Sequence, residues 1–466
     1  MTFVSSRLPL APPDASALPL AQGRPFVGNL PFILNDPLGF FLRLSRSAGP
    51  VVRVRLGMAM GELLLVTDPA VIAHVLEGNA GNYRKGRFYQ RLRGVFGNNI
   101  ILADGPDWRR QRHMAAPAFS ARHLEAAGWV MAGSAASLVE RLDGAARRGE
   151  PVDMLREFMD VALNVIIKTL FGVDVGARAE AITAAIEPLL REGERRVWWP
   201  LRPPLWVPTP VNRHLRSVLA GFDQMVYELI EERRGGGERR EDILDALLYA
   251  RDESGAGLTN QQIRDEIAGF IVSGHETTGT TLAWALEALS RHPAVYAAVR
   301  RELDDVLGPR RPTAADLPQL VYTRATLYET MRLNPAVWTI SRQAVADDVV
   351  QGIPIRAGTV VMMPPYVVHR SAAHWPNPEG FDPERFRNGE PRGASKFTYF
   401  PFGGGPRRCL GAHFSMMEMQ IVLATLLQRF RFSLIPGSLP EAMVTLTIRP
   451  RDGLWMIPEI VQPRPA

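Results

Sequence analysis

Residues 259–291 constrain this chain more than any other stretch. Thr259-Asn260-Gln261-Gln262 reads as a capping box that opens a helix. No proline interrupts it before His292-Pro293, where it must stop. At 1.5 Å per residue such a helix is roughly 45 Å long. A helix of that length has to cross the body of the molecule, so the rest of the chain must pack around it.

The remaining sequence fits a helix-rich body. Residues 126–149 and 154–170 have helical apolar spacing, a helix near Asp107 precedes them, and 323–333 and 410–430 read as further helices. Asp68-Pro69-Ala70 opens a short helix through Leu76. Short strands are expected at 51–57 and 62–66, then at 341–345, 349–355 and 359–363, followed by a β-rich tail. Residues 197–210 are rich in Trp and Pro and read as a loop between helices; 233–242, RRGGGERRED, reads as a solvated, flexible connection. No repeat is present. The expectation is one interwoven domain over 1–466, mainly α with small β-sheets (α+β), behind an extended Pro-rich lead-in at 1–24.

Charge and apolar content exclude several classes. Lys plus Arg number 54 and Asp plus Glu 48, giving a net charge of +6. A basic excess favours acidic partners, but no Lys/Arg tract interleaves with aromatics, which argues against nucleic acid. The N-terminal segment has no apolar run of ~18 residues and no unbroken apolar core after a basic start. The expectation is a soluble, cytoplasmic monomer without a transmembrane anchor.

The chain has one cysteine, Cys409, so it can form no internal disulfide. A lone cysteine is by default a small buried hydrophobe. Its neighbours change that reading. Gly403-Gly404-Gly405-Pro406 precede it, Arg407 and Arg408 flank it, and a helix follows it. Helix N-terminal amides and nearby cations favour a thiolate, a soft anionic ligand suited to haem iron.

The segment Phe402 to Gly411 resembles the haem-binding loop of the cytochrome P450 family, F-x-x-G-x-R-x-C-x-G, with Phe402, Gly405, Arg407, Cys409 and Gly411 all matching. Other motifs stand in the family's order. Glu329 and Arg332 match E-x-x-R, and Arg385 lies in the downstream Pro-Glu-Arg-Phe. Ser273-Gly274-His275-Glu276-Thr277-Thr278 resembles the oxygen-activation motif, with Ser273 where Ala or Gly is commoner. Trp108 and Arg112 resemble a W-x-x-x-R pair, and Arg342 matches a further arginine.

The resemblance implies the P450 fold, with haem b held between the long central helix and the cysteine-loop helix. It implies Cys409 as the iron ligand, and Trp108, Arg112, Arg342 and Arg407 at the haem propionates. Phe402 would pack beside the sulfur. Glu329, Arg332 and Arg385 would form a buried structural network. Glu276 and Thr277 would be the acid–alcohol pair that supplies protons while O2 is activated, since an acid and an alcohol can relay protons in turn. His275 is a neighbour of the site and no ligand.

The implied activity is monooxygenation of a hydrophobic small molecule, hydroxylating or epoxidising a terpenoid or fatty-acid-like compound of secondary metabolism. Phe88, Leu92, Phe96, Ser273, Val337 and Trp338 are candidate pocket residues, with Tyr89, Trp198, Trp199 and the turn at 445–447 nearby; most are apolar. The stretch after Cys409 is too short for a fused flavin domain. Electrons are therefore expected from a separate acidic ferredoxin or flavodoxin with its reductase, docking on Arg109, Arg110 and Arg408. Two alternatives stay open: a peroxide-using peroxygenase, and a haem-thiolate sensor without turnover.

Overall fold

The computed structural model describes residues 18–461 other than 59, 173–175, 199–202, 237, 238 and 241. The crossing helix runs over Asn260–Arg291. Its start is the capping box expected: Thr259 Oγ1 accepts from the Gln262 amide at 3.2 Å, and Gln262 Oε1 accepts from the Thr259 amide at 3.0 Å. His292 caps the end, and Pro293 begins the next helix. The helix is buried on nearly every face, as a helix enclosed by a core should be.

Two apolar cores flank it. One gathers Met154–Phe171, Gly176–Trp198 and Pro210–Gly235 around its N-terminal half. The other gathers Ala121–Arg148 and Ala412–Arg429 around its C-terminal half. Gly279 lets the crossing helix meet Met154–Phe171 closely. A Cβ there would lie 2.9 Å from Met159 Sδ and 3.1 Å from its amide nitrogen, tighter than side-chain packing allows.

A five-stranded sheet closes one end. Its order is Val51–Arg55, Glu62–Val66, Val360–Met363, Ile340–Ala344 and Tyr83–Arg84. Leu64 pairs in parallel with Val361, and Val361 pairs antiparallel with Arg342. Asp68 caps the short helix behind it, accepting from the amides of Ala70 and Val71. A hairpin of Ala442–Val444 and Ile448–Pro450 lies against the crossing helix, tied down where Trp284 Nε1 donates to the Ile448 carbonyl at 2.9 Å.

One expectation is corrected and a second narrowed to the middle of its stretch. Residues 349–355 are not one strand but a hairpin, Asp348–Val350 against Ile353–Ile355. Gln351 and Gly352 sit at φ 50 and 77, the left-handed pair that turns a tight hairpin. The 233–242 connection is anchored at both ends. Arg233 is buried and donates to Asp242 Oδ2 at 2.8 Å and Asp245 Oδ1 at 2.7 Å. One partner, Asp242, closes that stretch and the other, Asp245, lies three residues beyond it, so the composition alone does not show the pairing.

Candidate active site

Cys409 sits at the end of a tightly turned loop, just ahead of the helix Ala412–Arg429. The Gly403 amide donates to the Phe400 carbonyl, and the Cys409 amide to the Phe402 carbonyl, each at 2.9 Å. Gly405 has φ +64, and a Cβ there would fall 1.8 Å from the Leu76 carbonyl oxygen. Only glycine fits that conformation at that approach. The sulfur is open to an internal cavity although its surroundings are dense. Burial pushes the thiol pKa up; the Gly411 amide, Arg112 and Arg408 pull it back towards the thiolate.

The loop is held from behind by a buried ion pair. Glu329 and Arg332 have no exposure, and the guanidinium binds the carboxylate with two hydrogen bonds of 2.7 and 2.8 Å. The other donors of Arg332 reach the carbonyls of His369, Pro378 and Gly380 at 2.6–2.8 Å. Glu329 Oε1 also accepts from the Asp382 amide at 2.8 Å, and Arg385 Nε lies 3.4 Å from it. Two helical residues three apart therefore organise a whole irregular segment. His369 carries that order onward, because its Nε2 accepts from the Phe400 amide at 2.9 Å.

The cavity measures about 570 Å³. Lys85, Arg112, Arg342 and Arg407 all line it. Arg342 donates to its neighbour's carbonyl, Ser341 O, at 2.8 Å. Arg407 stacks over Trp108 at 4.3 Å and pairs with Asp104 at 2.7 Å. Burial, then Arg342 and Arg407, depress the Lys85 ammonium well below its ordinary pKa. Burial first, then the neighbouring arginines, lowers Arg407 to about 10. Four closely set cations, Arg342 buried and Lys85, Arg112 and Arg407 partly so, against one paired carboxylate are costly unless anionic groups join them. A flat group bearing carboxylates, with a metal to take the sulfur of Cys409, fits this donor set. The residues present therefore suit haem: Cys409 for the iron, and Lys85, Arg112, Arg342 and Arg407 for the carboxylates.

The crossing helix supplies another wall. Ser273, Gly274, Glu276 and Thr277 line the cavity. Thr277 Oγ1 donates to the Ser273 carbonyl at 2.6 Å. Glu276 is buried and accepts from Thr447 Oγ1 at 2.8 Å. Burial raises its pKa, so the carboxyl holds its proton more firmly; Thr447 and Arg449 oppose this. His275 is lowered to about 4, by burial and then by Arg449.

Most residues expected from the sequence converge here. Trp108, Arg112, Ser273, Glu276, Thr277, Val337, Trp338, Arg342, Phe402, Arg407, Cys409, Gly411, Leu92 and Phe96 all line the cavity. Gly405, Glu329, Arg332 and Arg385 stand behind it, supporting the loop. The side chains of Phe88, Trp198 and Trp199 lie outside the described residues. Arg110 does not join an open basic face: it pairs with Asp252 at 2.6 Å and donates to the Gly257 carbonyl at 2.8 Å. Arg109 is exposed, and Arg408 lies 3.7 Å from Glu390. Sequence reasoning missed Lys85, Asp104 and His369. Lys85-Gly86 after a short strand was the available signal for the first.

Known proteins resemble this chain over nearly its whole length. The family model described as Cytochrome P450 matches residues 18–456. Protein LUTEIN DEFICIENT 5, chloroplastic, of Arabidopsis thaliana is 32% identical over 92% of this chain and 75% of its own length. Cyclooctat-9-en-7-ol 5-monooxygenase of Streptomyces melanosporofaciens is 32% identical over 93% of this chain and 95% of its own. The crystal structure of a cytochrome P450DA heme domain superposes with a TM-score of 0.85 at 26% identity, covering 96% of this chain and 98% of that one.

Proposed function

The chain belongs to the cytochrome P450 family, with its fold and its monooxygenase chemistry, and from that premise we propose that it oxidises an apolar, terpenoid-like small molecule, with a fatty-acid-like chain as the second choice. The observation that carries the reading is one cavity lined together by Cys409, by the cation set and by Leu92, Phe96, Ile100, Phe270, Val337 and Trp338. That volume of about 570 Å³ has to take the cofactor as well as the substrate, so the apolar lining, and not the size, supports a hydrophobic substrate. The relative whose printed name carries an unsaturated cyclic alcohol supports the terpenoid-like choice.

The cofactor we assign is haem b. When bound, it supplies the iron chemistry that splits dioxygen and transfers one oxygen atom to the substrate. The protein's residues do the rest. Cys409 presents its sulfur, with the Gly411 amide tempering its charge. Lys85, Arg112, Arg342 and Arg407 hold carboxylates by charge-assisted hydrogen bonds. Glu276 holds a proton within the cavity wall, and Thr277 offers a hydroxyl one residue on. Phe96, Ile100 and Phe270 exclude water from the substrate side.

Family members take electrons from a redox partner. Arg109 and Arg408 are the basic residues we assign to an acidic donor such as a ferredoxin or flavodoxin. No helix among the described residues is long and apolar enough to cross a membrane; we read the protein as a cytoplasmic monomer.

The test is spectroscopic. The reduced carbon monoxide complex should show the long-wavelength Soret band of thiolate ligation, lost in Cys409→His. A histidine-type spectrum in the parent would overturn the assignment. Low-to-high-spin shifts across a library should then favour cyclic terpenoids over linear acids; the reverse order would remove the first choice of substrate.

A further inference from the structure

Glu276 is held by a part of the chain far from it in sequence. Its Oε1 accepts from Thr447 Oγ1 at 2.8 Å and lies 3.5 Å from Thr445 Oγ1 and 3.7 Å from Arg449 Nη1. The Thr445 hydroxyl has a nearer acceptor, the Thr447 carbonyl at 3.1 Å, and one proton cannot serve both well. Thr447 is therefore the firm donor. All these contacts land on one oxygen, which leaves Oε2 without a hydrogen bond among the described residues on a side chain that lines the cavity.

The hairpin that carries Thr447 is tied down at its base and lines the cavity at its tip. The Ile448 amide donates to the Ala336 carbonyl at 3.1 Å, and Trp284 Nε1 donates to the Ile448 carbonyl at 2.9 Å. The turn closes on itself: the Thr445 amide donates to the Thr447 carbonyl at 2.8 Å and the Thr447 amide to Thr445 Oγ1 at 3.2 Å. Leu446 stands between the two threonines and lines the cavity with them.

We propose that Thr447 is the positioning residue for Glu276: the hairpin grips one carboxyl oxygen and aims the other into the cavity. The proposal rests on the reading of Glu276 as the proton-holding group of the site. Arg449 and His275 are the titratable groups that share this corner. Arg449 restrains the carboxyl through space, and Thr447 supplies the direction.

The experiment compares the parent holoprotein with Thr447→Val, Thr447→Ser and Glu276→Gln. Infrared difference spectra against Glu276→Gln isolate the Glu276 carboxyl band without any turnover. The band should move to higher frequency in Thr447→Val, which keeps the shape and loses the donor, and stay in place in Thr447→Ser. Oxygen consumption driven by a ferredoxin and its reductase should change roughly fivefold in Thr447→Val, the worth of one net hydrogen bond, return in Thr447→Ser, and show no further change when Thr447→Val is added to Glu276→Gln. An unmoved band in Thr447→Val, or an undiminished rate effect in the Glu276→Gln background, overturns the proposal. A moved band together with an indifferent Glu276→Gln rate would fail the proton-holding reading while leaving the grip of Thr447 on the carboxyl in place.

Discussion

Arg332 donates to the carbonyl of His369 at 2.8 Å, and the ring of that same His369 accepts the amide of Phe400, nine residues before Cys409. The buried Glu329–Arg332 pair thus reaches the cysteine loop through one residue. We infer that the pair places the loop and does not react.

Breaking the pair should therefore cost both stability and cofactor retention. Arg332→Met strands the Glu329 carboxylate and three carbonyls in the interior, at a cost of about 3–5 kcal/mol. Denaturant unfolding followed by fluorescence and by the Soret band should show both transitions shifted together. A shift below about 1 kcal/mol would contradict the role given to the pair.

His369 makes stability sensitive to acid. Burial first, then Arg332 and Arg370, hold its pKa at about 3 in the folded chain, against about 6.5 when unfolded. Below pH ~6.5 the unfolded chain gains a proton that the folded chain refuses until about pH 3. Stability from this group is whole above pH ~6.5 and drains away between there and about 3. His275, at about 4, adds a similar slope. Urea midpoints measured from pH 7 to 4 should fall in the parent and fall less steeply in His369→Gln, whose amide oxygen can still accept from Phe400. Equal slopes would refute the assignment.

Lys85 should act in opposite directions with and without haem. Lys85→Met removes a desolvated cation from among three arginines, so the haem-free chain should unfold no earlier than the parent. The loaded protein should lose haem to an excess of apomyoglobin about tenfold faster, since a charge-assisted hydrogen bond is worth roughly 1.5–3 kcal/mol. Unchanged haem transfer would take Lys85 out of the anchoring set.

Features set by nearby residues were readable in the sequence. The crossing helix has its caps within four residues of its ends, and the cysteine loop has its glycines and arginines in one run. Glu329 and Arg332 are one helical turn apart. What stayed hidden depends on distant partners. Arg110 looked free for docking because Asp252 lies far along the chain. The grip on Glu276 comes from a hairpin near the C-terminus. Lys85 gains meaning only beside Arg342 and Arg407, each from a different element. The 349–355 stretch was misread because a positive-φ turn at Gln351 leaves only three residues per strand.

The five-stranded sheet also sets a timetable. Leu64 finds its parallel partner in Val361, and Cys409 follows later still. A ribosome must release most of the chain before that strand can pair, the arginine on its neighbour can take its place, or the sulfur can emerge. Until then the early strands wait with an open edge, a liability for newly made sheet proteins. Haem capture therefore waits until the chain has been made past Cys409, and a shortage of chaperones should be felt as aggregated nascent chain before it is felt as poorly loaded protein.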